Sequence, residues 1–444
     1  MPAPASQSHD PAAVRQQAAA LIAVRILLYL GGMSSYFIGV LGTLTFTLGG
    51  GVFDNAIAVG LLNLFMTFGS MQSGALLDRL GMRAHFRICA SSLVVIGLLY
   101  QVLARSVPGL YLGAALFGYA MGAADVIPRS YPAYLTDRVD ELKRINSGIT
   151  VATNVSIIVG PLVGGAIATV APTQTVFLFM TACSLLAFVP AAVMRPLRTL
   201  RQGGGEGGKD RPGALYGFKS IRSSRVLNLL FWCTMLSFLG YGAFDPLESL
   251  FYRDVLRVGA SWMGWLSALS GVGGIVGAFA VGAIPRHHVN VRTLLTVLAL
   301  SGGGSLLYVS TSDVRIACAG QLALGFFFAA FGPIKDTLIQ VHTPLENIGR
   351  VNAAMTAGFN FAGVVPLFAA PALAAMLGVQ GTLVAAGVTV TLVPICLFLV
   401  KRKQLQIMVA QERAYCGREP GDGALSNFRA AEGCAARRRR PTLK

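Results

Sequence analysis

Apolar stretches long enough to cross a bilayer recur along nearly the whole of this chain. They lie at 22–48, 55–77, 87–106, 108–130, 145–169 and 173–194, then at 226–250, 261–284, 291–310, 315–338, 352–377 and 379–400. A helix of about 20 apolar residues spans a ~30 Å hydrocarbon core, and its backbone groups satisfy one another there. Hydrophobic residues make up 54% of the 444, and charged residues only 12%, roughly half the usual soluble share. A chain so composed has little material for a polar surface, which argues against the alternative of one large soluble core.

An even number of spans places both ends on one face, and charge selects the face. Arg79, Arg83 and Arg87 follow the second stretch; Arg138, Lys143 and Arg144 follow the fourth; Arg286 and Arg292 follow the eighth. The opposite connections hold only Arg105, Arg253, Arg257 and Arg315. Basic loops favour the cytoplasm, so both termini are expected inside a multi-pass protein of the cytoplasmic membrane. The net charge of +17 sits in these connections and in the tail rather than on one amphipathic face, which points away from nucleic acid. Seven cysteines are scattered singly, in neither a metal-ligand spacing nor a disulfide framework. The first 20 residues carry no cleavable signal pattern.

The expected organisation is a cytoplasmic segment 1–20, a bundle 21–194, a linker 195–225, a second bundle 226–400 and a basic tail 401–444. The linker carries the GGGEGG tract, flexible by composition, with a short interfacial helix allowed at 213–224. The tail ends CAARRRRPTLK and reads as solvated, with anionic lipid contact as the alternative. RINSGITVATN at 144–154 reappears 206 residues later as RVNAAMTAGFN at 350–360, which superposes Arg144, Asn146, Thr150 and Asn154 on Arg350, Asn352, Thr356 and Asn360. The same offset carries Arg129 onto Lys335. Two parallel repeats fit a transporter built around an axis along the membrane normal. The expected fold is therefore an all-α membrane protein of twelve transmembrane helices in two six-helix bundles, related by a pseudo-two-fold axis along that normal.

GALLDRLGMR, between the second and third stretches, supplies a helix-end glycine, a capping or pairing acid and interfacial arginines. It resembles the G-x-x-x-D-R-x-G-R-R loop of the major facilitator superfamily. Gly74, Asp78, Arg79, Gly81 and Arg83 match, and Met82 departs from the pattern. The resemblance implies that this loop governs closure of the cytoplasmic side. IVGPLVGGAI at 158–167 places Gly160, Pro161, Gly164 and Gly165 in one apolar run. Small residues let helices approach closely and proline bends them, giving a hinge, a barrier to proton leak or a local kink. These four residues resemble the end of the drug:proton antiporter signature of the same superfamily, in its multidrug or macrolide efflux-like group. Ser147 and Ser156 stand where that signature has glycines. The arginine that the resemblance leads one to expect in the fourth span is absent from YLGAALFGYAMG.

Charges inside spans are expensive and often mark a pathway. Asp125 lies four residues before Arg129, so the two can share a helix face. It ranks first as a proton-coupling carboxylate, followed by Asp245 and Asp336, with Glu248 beside Asp245. Arg25 is read as an interfacial, snorkelling cation or a pathway residue. Lys335 is expected to orient Asp336, or to pair with Asp125 or Asp78 across the bundle. Tyr36, Asn63, Tyr119, Asn154, Tyr241, Gln321 and Asn360 are the expected polar lining of a mostly apolar route. Lipophilic compounds gain roughly 25 cal/mol per Å² of buried apolar area and need few such groups. No Walker motif accompanies the spans.

The sequence thus reads as a secondary transporter, not an enzyme: proton-coupled efflux of lipophilic drug-like molecules by alternating access. It needs no cofactor beyond a proton gradient and works as a monomer among membrane lipids. Proton-coupled uptake of a small metabolite is the second reading, and a membrane receptor or scaffold that moves nothing is the third.

Overall fold

The computed structural model describes residues 11–80, 82–136, 139–195, 215–282, 290–343, 348–402 and 405–406. Every regular element among them is helical. α1 (Pro11–Ser34) passes into a π-helical stretch, Ser35–Thr47. α2 (Val52–Leu80), α3 (Met82–Leu103), α4 (Val107–Ser130), α5 (Val139–Val170), α6 (Thr175–Leu186) and the short α7 (Phe188–Val193) complete the first half. The second half holds α8 (Leu215–Ser223), α9 (Arg225–Tyr241), α10 (Phe244–Asp254), α11 (Ser261–Gly282), α12 (Val291–Val309), α13 (Val314–His342) and α14 (Ile348–Val400).

Eleven helical segments among the described residues are long and apolar enough to cross a membrane, which makes the chain an all-α, multi-pass bundle. The number is one short of the expected twelve, and two local features bear on it. The third and fourth stretches stay separate because Ser106 caps α4, accepting from the Gly109 amide. By contrast, α14 has 53 residues, about 80 Å of helix at 1.5 Å per residue, and supplies one of the eleven segments, Ala362–Val400. It is broken at Gly378, where φ is 74° and ψ 169°, a conformation that glycine adopts without steric cost.

The first helix begins at Pro11, well ahead of the expected 22. Its early turns are held down by Gln17, which donates to Val193 O (2.9 Å) and accepts from the Tyr131 hydroxyl (3.0 Å). α8 lies within the linker stretch where the sequence allows a short helix. The remainder of the linker at 196–214, nearly all of the basic tail and Gly81 lie outside the described residues.

Helix pairing repeats between the halves. α2 packs on α4 as α11 packs on α13; α1 packs on α5 as α9 packs on α14; α3 packs on α6 as α12 packs on α14. α5 against α11, and α2 against α14, join the halves. One apolar core lies wholly within the first half, including Leu21, Leu93, Tyr100 and Phe177. Another lies wholly within the second, including Leu230, Leu295 and Ile334. A third draws on both, bringing Ile38, Leu41 and Val59 against Leu247, Tyr252 and Tyr308. This shared core gathers at the end of the bundle that carries the 48–51 and 255–260 connections.

Candidate functional site: polar clusters inside the bundle

A buried ion pair occupies the first half. Arg25 of α1 and Asp125 of α4 meet at 2.5 Å, with side chains only 9% and 18% exposed. The guanidinium also donates through Nε to Thr153 Oγ1 of α5 at 2.9 Å. It lies 3.6 Å from the centre of the Tyr29 ring, a cation–π placement. The Tyr29 hydroxyl donates to Asp125 at 3.4 Å. Arg25 is therefore not at the interface reaching for water. It ties three helices together beside a small space lined by Val24, Leu28, Met121 and Pro128. The side chain of Arg129, the partner suggested by sequence spacing, lies outside the described residues.

A second cluster surrounds Glu248 of α10. Oε1 accepts from the Tyr252 hydroxyl (2.8 Å), the Tyr308 hydroxyl (2.9 Å) and Gln321 Nε2 (3.1 Å). The element itself is distinctive, because the membrane segment Arg225–Asp254 is interrupted between α9 and α10 at Gly242–Ala243. Pro246 suits the first turn of the new helix, where a missing N–H costs no helical bond. The interruption presents Asp245 to open space: its side chain is exposed, and the Tyr36 hydroxyl of the π-helical stretch lies against it. Tyr241, at the end of α9, hydrogen-bonds Ser301 at 3.0 Å. Its ring lies 5.9 Å from Phe244 and 5.6 Å from Phe328.

The structure thus groups Asp245 with Tyr36 and Glu248 with Gln321, while Tyr241 ends α9, just before the break. Other expected residues sit apart. Lys335 pairs with its neighbour Asp336 at 3.3 Å, with exposures of 25% and 60%. Tyr119 is exposed and donates to Gln72 Oε1 at 2.6 Å. Asn63 is half-buried on α2, and Asn154 is exposed on α5. Gly74, Asp78 and Arg79 fall on the last turns of α2, and Asn360 falls on α14; the side chains of these residues lie outside the description. Arg83 donates from Nε to Met194 O at 2.9 Å.

The glycine–proline run explains itself by packing. α5 continues through Pro161 to Val170. Gly160 faces Leu30 and Met33 of α1, and Gly164 faces Ser34 and Ile38. Gly165 lies against α11: a Cβ there would stand 2.7 Å from Ser261 O and 2.8 Å from the Gly264 Cα. The two halves therefore cross backbone to backbone at this point, an approach that only glycine permits.

A set of contacts that sequence reasoning misses holds the halves together at the shared core. Asn55, fully buried, donates to Pro246 O (3.0 Å) and Ser249 Oγ (2.8 Å). Thr45 and Ser249 share a hydrogen bond of 2.8 Å. Arg253 donates to Thr45 O and Gly50 O at 2.9 and 3.0 Å. The one signal for them is Asn55 itself, an amide next to Asp54 at the start of an apolar stretch. Asp54 caps that start by accepting from the Gly51 amide and from the Tyr111 hydroxyl.

These features define a polytopic membrane protein with a repeated helix arrangement and ionisable groups in its interior. The chain belongs to the Major Facilitator Superfamily, whose family model matches residues 21–295 and 230–413. That membership classes the chain with transporters rather than with enzymes. The chain is similar to the multidrug efflux pump Tap of Mycolicibacterium fortuitum, with 25% identity over 280 residues. That match spans 60% of this chain and 65% of the pump, just under two thirds of the relative's length. Among solved structures, the nucleoside transporter NupG superposes with a TM-score of 0.67 at 11% identity, covering 86% of this chain and 99% of that one. A bacterial homolog to the human lysosomal transporter Spinster gives 0.66 at 12% identity, covering 93% and 100%. At these identities the structural likeness speaks for the fold alone. Among the described residues no group of three or more His, Cys, Asp or Glu could hold a metal ion.

Proposed function

We propose that this protein is a proton-coupled exporter of lipophilic drug-like small molecules, working by alternating access as a monomer in the cytoplasmic membrane. In this reading α14 supplies two crossings, 348–377 and 379–400, and the chain forms two six-helix bundles, 21–194 and 226–400. The termini, the 195–225 linker and the basic tail are cytoplasmic, and the Gly74–Arg83 loop works at the cytoplasmic closure. The end fastened by Asn55, Ser249 and Arg253 is then the outer one, so substrate enters from the cytoplasm or inner leaflet.

The observation that carries the reading is the placement of acidic side chains inside the apolar bundle, one cluster in each half. A carboxylate inside a span is costly and marks an ion or substrate route. Asp125 and Glu248 are fixed by hydrogen bonds, whereas Asp245 is exposed, with the Tyr36 hydroxyl against it. Asp125 remains first for coupling, Asp245 and Glu248 supply a second protonatable site, and Asp336 follows. Tyr36, Tyr241 and Gln321 line the route next to them. Partial similarity to a multidrug efflux pump supports the substrate class.

Reconstitution of the full chain in liposomes tests the proposal. With an imposed pH gradient, a panel of lipophilic compounds is expected to move opposite to protons. Movement in the same direction as protons would replace export by uptake through symport. Binding without movement would make the protein a receptor.

A further inference from the structure

The geometry points to a second, lipid-binding site on the basic side of the first half: a pocket for the headgroup of an anionic phospholipid. This inference requires only that the chain sits in a bilayer, and it holds whichever way substrate moves.

A cavity of about 270 Å³ lies between the first turns of α3 and the end of α7. Its floor is apolar and fixed. Phe86 and Met194 are 3% exposed and Tyr131 is 1% exposed, while Phe86 and Phe188 pack edge to face at 6.1 Å. Its rim carries Arg83 and Arg87, four residues apart and therefore on one helix face. Both are exposed, and no ion pair to either is found among the described residues. Arg83 spends Nε on Met194 O, which orients its guanidinium and leaves the terminal nitrogens for a ligand. Two guanidinium groups over a preformed concavity match a phosphodiester, since arginine binds phosphate through paired N–H donors.

The choice of a lipid over a free anion follows from position. Arg83 opens the apolar segment Arg83–Leu103, so the rim stands at headgroup depth. Below Arg87, the same side of α3 exposes Ile88, Val95 and Leu98; next to the other wall, Leu186 and Val189 are exposed. A molecule with its phosphate on the arginines therefore finds two apolar, lipid-facing walls on which to lay acyl chains. The surface of a membrane rich in anionic lipid favours each basic contact by about 1 kcal/mol. The docked tether Gln17–Val193 and Tyr131–Gln17 shapes the floor, so headgroup occupancy stabilises the join between α1, α7 and the residues after α4.

The test uses the full-length protein, delipidated in mild detergent and read by native mass spectrometry during titration with dioleoylphosphatidylglycerol, dioleoylphosphatidylcholine or glycerol phosphate. One phosphatidylglycerol is expected to bind about tenfold tighter than phosphatidylcholine, the scale of one charge-assisted contact. Arg87→Gln should remove most of that preference, and Arg105→Gln, at the other end of α3, should leave it intact. Ala191→Leu fills the cavity without changing charge and should weaken phosphatidylglycerol binding by a similar factor, which covers the case of an Arg87 variant that does not fold. Equal binding of the two lipids, or full retention of the preference in both pocket variants, overturns the site. Competition by glycerol phosphate as strong as that by the lipid would make it a free-anion site and overturn the lipid assignment.

Discussion

The two halves hold their interior carboxylates in different ways. Asp125 is gripped by a cation, Arg25, under a tyrosine ring. Glu248 is met by two phenols and an amide, all neutral donors. The distinction governs what the loss of each negative charge would leave behind. Neutralising Asp125 by substitution would strand a guanidinium that is 9% exposed, and an unpaired buried charge is costly. Neutralising Glu248 by substitution would leave its three neutral donors behind, with no cation stranded among them. The first cluster is thus a buried ion pair, each partner of which depends on the other. The second is a carboxylate held by neutral hydrogen-bond donors alone. Asp245, which is exposed, lies on the same short helix.

The largest effect expected from this contrast is on stability. Asp125→Asn should destabilise the protein by about 3–5 kcal/mol, the cost of breaking a buried pair from one side. Adding Arg25→Met should recover most of the loss, because a neutral apolar replacement removes the stranded charge. Denaturant unfolding in detergent micelles reads both variants. If Asp125→Asn alone matched the wild type, the pairing would contribute nothing to folding, and the two clusters would be energetically alike. Glu248→Gln is the counterpart. It keeps the size of the side chain and an accepting oxygen, so stability should change by only about 1 kcal/mol, while the pH dependence of transport in liposomes should fall. Retained pH dependence would move the coupling role to Asp125 or Asp245.

Next in size is the crossing between halves. Gly165→Ala pushes a methyl into the Ser261 carbonyl and the Gly264 Cα, so a loss of about 1–3 kcal/mol is expected from overpacking. Gly303, in α12, has nothing within 4 Å of the place a methyl would occupy; Gly303→Ala should raise stability by about 0.4–1 kcal/mol through reduced freedom of the unfolded chain. Opposite signs from one chemical change would separate the crossing from ordinary helix propensity. A smaller effect follows for Asn55→Ala, which removes the donor to Pro246 O and Ser249. The loss of about 1–2 kcal/mol should appear as a population shift: a maleimide-reactive Asp245→Cys reporter should label faster from the side carrying Arg253. Unchanged labelling would mean that Arg253 and the apolar core hold that end without the amide.

Much of this is legible in the sequence alone. Hydropathy locates the spans because a lipid-facing helix must be apolar over its whole length, whatever it packs against. The glycine run at 160–165 is legible as a close-packing element for the same reason, since its only physical asset is the absence of side chains. Its partner is not: Gly264 lies about a hundred residues away in α11, and nothing local in the sequence pairs the two. Asp125 stands out as an acid in a span. Sequence offers it Arg129 four residues along the same helix, or Lys335 across the bundle, whereas Arg25 reaches it from α1. Asn55 escapes notice because a single amide in an apolar segment looks like a cap until its acceptors on α10 are known. Gly378 hides a boundary in the other direction: the sequence divides there at 377–379, while the helix runs to the break from both sides.

The smallest expected effect concerns Lys335 and Asp336. Their 3.3 Å contact joins neighbouring residues with side chains 25% and 60% exposed, so water screens it and the frame of α13 already fixes their separation. Such pairs contribute about 0–1 kcal/mol. Lys335→Gln should therefore shift the unfolding midpoint little, in contrast to Asp125→Asn under the same conditions. The cation also lies 6.0 Å from the Phe331 ring, too exposed an arrangement to add much. A loss as large as that from Asp125→Asn would mean that Lys335 reaches a carboxylate across the bundle in a state the molecule visits during its cycle. The cation-held cluster would then have an equivalent in the second half, and the asymmetry between the halves would belong to one conformation rather than to the protein.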